Sequence, residues 1–372
     1  MPTDPPSGRS RSARWFVPLV AIALAVTGGT ACTGSPEPGP TTPRLKLAWQ
    51  GVTLPDGAEP ESLAGAGNTV VVGGRSDGAP RMFVLRDDLA VRRVDLVGHG
   101  VYAATATWVD LAIDGPQVLA LGRASGGAHG LPRWTVWSGS TQRVEEQPQP
   151  FETFGGPRSG GLAGVALGSG RALVVGSWDD GGAGLDAAVW GVSGTSWGRT
   201  GMTSGALAST ATRLVQPAAA AVTSTGVYLV GSTTDLGGDD VVLGASAWTA
   251  PHPEGPWTRV DLPATTTSSR ATGLSCDSTG CWVVGLDGDA VALWRLDPDR
   301  AARVTLPRDA SSSPGRVAAV AAVSGQVWVA TSVQDGSQLL RRDAEGSWTV
   351  FDGPTANRPE SPCGDTGSAS SA

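Results

Sequence analysis

Two recurrent sets of charged side chains in this chain are the residues best suited to chemistry. Acidic, glycine-rich stretches recur as Asp77-Gly78, Asp179-Asp180-Gly181-Gly182, Asp235 with Gly237-Gly238-Asp239-Asp240, Asp287-Gly288-Asp289 and Asp335-Gly336. Arg158, Arg213, Arg270 and Arg316 form the second set, standing 18, 18, 15 and 14 residues before the end of the apolar run that follows each. A ring of carboxylates could hold a cationic ligand or Ca²⁺, which takes about six to eight oxygens. Clustered guanidinium groups bind carboxylates or phosphates through paired N–H donors. Each set also has a plainer reading. Asp-Gly is what a tight hairpin turn requires, and arginines alternating with aspartates on one face can pair with them and simply fix the loops. Asp179, Asp180, Asp239 and Asp287 with the four arginines are the candidate ligand-binding residues. No cofactor is required, and Ca²⁺ is the one the acidic loops would admit.

Other chemistry finds less support. His99, His129 and His252 fall in three separate units, without the clustered Cys or His that a metal site needs and without a nucleophile motif beside them. Glu145-Glu146 or the Asp loops could supply paired carboxylates for glycoside cleavage, at a separation that only the fold sets. The glycine pairs precede no helical pattern, so they do not cradle phosphate. Net charge is −7, becoming −9 once Asp4, Arg9, Arg11 and Arg14 leave with the leader, which argues against a duplex-binding surface. Lys46 is the only lysine, Asn occurs at 68 and 357 and Ile at 22 and 113. That bias looks like a GC-rich genome of the actinobacterial type, so the arginine excess is not a nucleic-acid signal.

The elements that must position these groups are short apolar runs. Val70–Gly73, Val118–Gly122, Ala172–Gly176, Val227–Gly231, Trp282–Gly285 and Val327–Ala330 end at positions separated by 49, 54, 55, 54 and 45 residues. A period near fifty, with several strand-like runs per repeat, is the signature of a β-propeller. The expected fold is all-β, a single ring over residues 45–353 with four-stranded antiparallel blades, six in number with seven as the alternative. Strands rich in Ala and Gly, such as Ala218–Ala221 and Val317–Val323, suit the narrow channel that innermost strands line. The pattern Leu47–Pro55 is expected to join the last blade and close the ring. Tryptophan-bearing fourth strands such as Trp257–Val260 and Trp348–Phe351, with the doublet Gly73-Gly74, loosely resemble kelch and Asp-box propellers. Sialidases, which are Asp-box propellers, use an Arg cluster with a Tyr nucleophile and acidic partners. Here Tyr228 lies in a buried-type strand, and Tyr102 has no partner that the sequence identifies.

Residues 1–31 read as an export signal: Arg9, Arg11 and Arg14 precede an apolar run from Trp15 to Val26, too short to span a bilayer as a permanent helix. Gly28, Gly29, Thr30 and Ala31 then lead to Cys32, which resembles a bacterial lipoprotein signal, with Gly29 where leucine is usual. The resemblance implies a diacylglycerol on Cys32, and residues 32–44, rich in Pro, Gly and Thr, make a semi-rigid tether. Ordinary cleavage after Ala31, leaving a secreted soluble protein, is the competing reading. Residues 354–372 lack apolar periodicity and are expected to be a disordered tail. Cys276 and Cys281 flank a short hairpin and are expected to form a disulfide in an exported protein. Cys363 is left over and could bridge to Cys32 if the latter is not acylated.

Together these features point to a monomeric propeller at the outer face of the cell membrane. Its expected role is to bind or scaffold a protein segment or an envelope glycan over the Arg/Asp face. The alternative is a divergent carbohydrate-active hydrolase or lyase using the same rim residues. Fold alone does not choose between them.

Overall fold

The computed structural model describes residues 42–126, 130–200, 205–307, 316–333 and 336–354. The leader, Cys32, most of the tether, His129, the Asp335 turn, Cys363 and the tail beyond Pro354 lie outside the described residues.

Six sheets follow one another along the chain, each a blade of a β-propeller. Their innermost strands are Glu59–Ala66, Thr107–Asp114, Ser159–Gly168, Arg213–Val222, Ser269–Asp277 and Arg316–Val323. These line a central channel of about 500 Å³, to which Ala64, Ala112, Ala166, Ala220, Gly273 and Ala319 contribute one small residue per blade. Larger side chains at those positions would fill the taper, so the Ala/Gly bias of these segments follows from the ring.

The glycines that end the apolar runs have a steric cause. In all six blades the inner strand slips register by one residue against the second strand, as at Leu162/Gly164, Pro217/Ala219 and Ala271/Gly273. Such a bulge bends the inner strand and brings its backbone onto the facing residue. A Cβ added at Gly231 or Gly285 would lie 2.0 Å from the carbonyl oxygen of Gln216 or Arg270, respectively. Only glycine fits so close an approach. In the first blade Gly74 holds that place, opposite Pro60, and in the sixth blade Thr331, opposite Val317.

The cores lie between neighbouring blades. Trp137, Trp190, Trp248 and Trp294, on the third strands of blades 2 to 5, are fully buried at one register position, facing Ala120, Val174, Leu229 and Val283. Phe83 and Leu340 take that place in blades 1 and 6. Trp190, Trp248 and Trp294 donate their indole N–H to the carbonyls of Thr153, Ala206 and Pro263 at 2.8, 2.9 and 2.7 Å. Each carbonyl belongs to the linker entering that same blade. The tryptophan thus fills a core and staples its own linker, satisfying the one polar atom it buries.

Two blades carry a fifth, parallel strand outside the antiparallel four. Asp95–Val97 lies beside Arg143–Glu146 in blade 2, and Arg44–Lys46 lies beside Trp348–Asp352 in blade 6. The ring is therefore joined at its N-terminal end by Arg44–Lys46, not by Leu47–Pro55. Blade 6 already has its own fourth strand, and residues 47–54 leave the sheet, with the Trp49 indole anchored on the Asp352 carbonyl at 2.8 Å. Cys276 and Cys281 face each other across the first hairpin of blade 5 and form the expected disulfide, with Cα atoms 4.0 Å apart. Among the described residues no helix is long and apolar enough to cross a membrane.

Candidate functional site

Loops from second to third strands and the linkers entering each blade share one face, as the Asp179 N–H to Arg158 C=O bond of 2.8 Å shows in blade 3. Members of both charged sets sit on this face, and Arg158 and Arg213 engage aspartates there. Arg158 donates from Nε to the Asp179 carbonyl at 2.6 Å, and its Nη2 lies 3.9 Å from Asp180. Asp179 spends its carboxylate on the Gly181 N–H at 2.7 Å, holding the turn. Asp180 pairs with Arg199 at 2.6 Å, and Arg213 with Asp235 at 2.9 Å.

Asp287 is 3% exposed. Its carboxylate accepts from the hydroxyls and N–H groups of Thr265 and Thr266, in the linker entering blade 5, and pairs with Arg303. Burial works against its charge, but the Thr266 and Thr265 hydroxyls, the Thr265 N–H and Arg303 outweigh it and hold the carboxyl well below the usual carboxylate range. Its oxygens are committed to the linker and to Arg303. Arg270 and Asp239 are exposed without an ion pair among the described residues, and Arg316 is known only as the first residue of its strand. Among the described residues no group of three or more Asp, Glu, His or Cys is arranged to hold a metal.

The built cavity on this face lies elsewhere, between blades 2 and 3, with a volume of about 420 Å³. Three segments make it: the linker entering blade 2, the start of the third strand of blade 2, and the linker entering blade 3. The first supplies Tyr102, the second Arg133 and Trp134, the third Phe151 on a single helical turn, Phe151–Phe154, that follows Pro150. That turn sends Phe154 into the core of blade 3 beside Trp190, at 5.9 Å between ring centroids, and leaves Phe151 at the cavity wall.

Arg133 lies across these rings, its guanidinium carbon 4.0 Å from the centroid of Phe151 and 5.7 Å from that of Tyr102. Stacking on aromatic faces suits the weakly hydrated guanidinium. Its Nη1 is buried and has no hydrogen-bond partner. Several polar side-chain atoms around it are already occupied. Glu146 accepts the N–H groups of His99 and Gly100 at 2.6 and 3.1 Å. Gln147 accepts the Trp197 indole N–H at 2.7 Å, Gln149 the Trp197 backbone N–H at 3.0 Å, and Thr135 the Trp137 indole N–H at 3.0 Å. A second, smaller cavity of about 120 Å³ adjoins, lined by Leu131, Pro132 and Gly161, and Trp134 lines both.

The sequence places Trp134 on a third strand and leaves Tyr102 without a partner; it does not single out Arg133 or Phe151. The available signal is local: the loop before Arg133 is the one among the six repeats that lacks an acid, and the linker Gln147–Phe154 is dense in Gln, Pro and Phe.

A second site-like feature lies in the channel. Asp110, on the inner strand of blade 2, accepts the Val165 N–H of blade 3 at 2.8 Å and its neighbour Leu111 N–H at 2.9 Å. Burial pushes its carboxyl up to about 6, the two N–H bonds offsetting only part of that. Among the described residues no cation pairs with it, and it bridges the two blades.

No family model matches this chain, and no curated protein matches it. Solved propellers are similar to it at low identity. The β-propeller domain of the trilobed protease from Pyrococcus furiosus matches at 9% identity and a TM-score of 0.47, over 77% of this chain and 83% of that one. YCF48 bound to D1 peptide matches at 13% identity and 0.44, over 77% of each chain. Apo AztD from Citrobacter koseri matches at 10% and 0.40, over 80% and 76%. Likeness at this level assigns no activity.

Proposed function

We propose that this protein is a binding module of the cell envelope: an exported β-propeller, held to the outer face of the cell membrane by a lipid on Cys32, that captures its ligand in the pocket between blades 2 and 3. The observation that carries the reading is the buried Nη1 of Arg133, without an acceptor and walled by Phe151 and Tyr102. A buried donor left unpaired costs about 1–3 kcal/mol, and a ligand oxygen placed against it recovers that cost. Concave aromatic lining with a few convergent polar groups is what ligand sites look like. The charged leader, its apolar run and Cys32 support export and acylation. The ligand is a protein segment or an envelope glycan, and the reading is of capture without turnover: the rim carboxylates Asp180 and Asp287 are spent on Arg199, Arg303 and the linker threonines.

Tryptophan-fluorescence titration of the protein with envelope-derived peptides and oligosaccharides tests the site. A saturable change weakened about tenfold in Arg133→Ala supports it; no saturable response to either class, or one indifferent to that substitution, overturns it. Radiolabelled palmitate should enter the full chain in a bacterial host and be lost, with membrane association, in Cys32→Ala.

A further inference from the structure

We infer that the ligand of this pocket is an extended, proline-containing peptide in the polyproline II conformation. This inference rests on the binding reading above and names the class of ligand from the imbalance of donors and acceptors in the lining. On the donor side, Arg133 Nη1 is buried and unpartnered, and neither the Trp134 indole N–H nor the Tyr102 hydroxyl has a hydrogen-bond partner among the described residues. On the acceptor side, Glu146 Oε2, Gln147 Oε1, Gln149 Oε1 and Thr135 Oγ1 each already accept from the protein. The two glutamine amides are also used as donors, to Ser138 and to the Gln147 and Thr195 carbonyls, so they brace the linker and do not reach for a ligand.

A site with free donors, mostly engaged acceptors and aromatic walls selects a ligand that offers oxygens and asks for few in return. Sugar hydroxyls are donors as well as acceptors, and a neutral glycan laid here would leave its own O–H groups short of partners. A polyproline II strand makes no internal hydrogen bonds, presents its carbonyls outward, and carries no N–H at each proline. Its pyrrolidine rings pack on aromatic side chains, the usual mode of recognition for this conformation. Little entropy is lost on binding because the conformation is already populated when free.

The cavity's form agrees. Trp134 stands between the larger and the smaller depression and lines both. That arrangement suits a ligand that continues past the indole, with a residue seated on either side, more than a compact molecule filling one hollow. Pro148 and Pro150 in the linker wall, with Phe151 and Phe154, make that side of the groove apolar and stiff. In the bound arrangement Arg133 and Trp134 donate to successive carbonyls while Tyr102 and Phe151 flank the rings.

The test is a fluorescence and calorimetric titration of the protein with decaproline, a glycine-serine decapeptide and a hexamer of N-acetylglucosamine. Decaproline should bind saturably and the glycine-serine peptide at least tenfold more weakly. Trp134→Phe, which keeps a ring and removes the indole donor, should weaken decaproline binding about tenfold with the melting temperature unchanged. Arg133→Ala, folding checked by circular dichroism, should abolish it. If the sugar hexamer binds and decaproline does not, the pocket remains a binding site and the peptide inference is overturned. If neither binds, the peptide inference falls and the pocket itself is in question, to be decided by the envelope-fragment titration above. Decaproline binding that is indifferent to both substitutions also overturns it, by placing the peptide elsewhere.

Discussion

Replacing Asp110 by Asn should remove a pH dependence that runs opposite to ordinary acid denaturation. Asp110 joins blades 2 and 3 through the Val165 N–H, and burial lifts its carboxyl from 3.8 to about 6. Between those two values the native state holds a proton that the unfolded chain has lost. Stability therefore falls as pH rises through this window and is fully reduced above it. A difference of about two pH units at about 1.4 kcal/mol each gives up to about 3 kcal/mol between pH 3.5 and 7. Part of the side chain faces the channel lumen, so solvent there trims this figure. Asn at 110 does not titrate, and whatever it loses at the Leu111 or Val165 N–H is a constant offset. The assay is urea denaturation of wild type and Asp110→Asn at half-unit steps from pH 3.5 to 7.5. Subtracting the two curves cancels Asp277 and Asp287. Those carboxyls are depressed, so the stability they contribute is present above the usual carboxylate range and is lost as pH falls. The mutant should gain on wild type by about 2–3 kcal/mol across the window. A difference that is flat, or that changes the other way, refutes the assignment of Asp110 as a carboxyl raised by burial.

Asp287→Ala should destabilise by about 3 kcal/mol, equally with Ca²⁺ or EDTA, because it strands Arg303 and the Thr265 and Thr266 donors and not a metal; thermal unfolding in both buffers checks it. Asp235→Asn should cost less than about 1 kcal/mol, since its pair with Arg213 is exposed; urea denaturation at low and high salt measures it. Trp248→Ala should cost about 3–5 kcal/mol, through the buried indole and the freed Ala206 carbonyl, read as a shift of the denaturation midpoint. Cys276→Ser with Cys281→Ser should cost about 2 kcal/mol, the small value set by a bridge spanning a separation of 5 residues; comparison of oxidised and double-mutant protein decides it.

The architecture was legible because it is written locally and repeatedly. An apolar run stopping at Gly122, Gly176, Gly231 or Gly285, or one residue before Gly74, records a strand that meets the bulge of the inner strand at its glycine. The hairpin disulfide was legible for the same reason, since Cys276 and Cys281 are brought together by a turn of four residues. The added strand Arg44–Lys46 was read a few residues too late. Three residues carry no periodicity, and parallel pairing with Trp348–Asp352 is fixed by a partner some three hundred positions away.

Sequence by itself determined the ring, its six repeats and the face on which charged loops gather, since each depends on near neighbours. Tertiary structure decided what those charges do. Whether Arg158, Arg213 and Asp287 await a ligand or hold a linker depends on which oxygen lies within 3 Å, and the linker threonines and neighbouring strands set that distance. The pocket was decided the same way. Tyr102, Arg133 and Phe151 come from three separate segments of the chain, and only the packing of blade 2 against blade 3 stacks the guanidinium on the rings while leaving one of its donors without an acceptor.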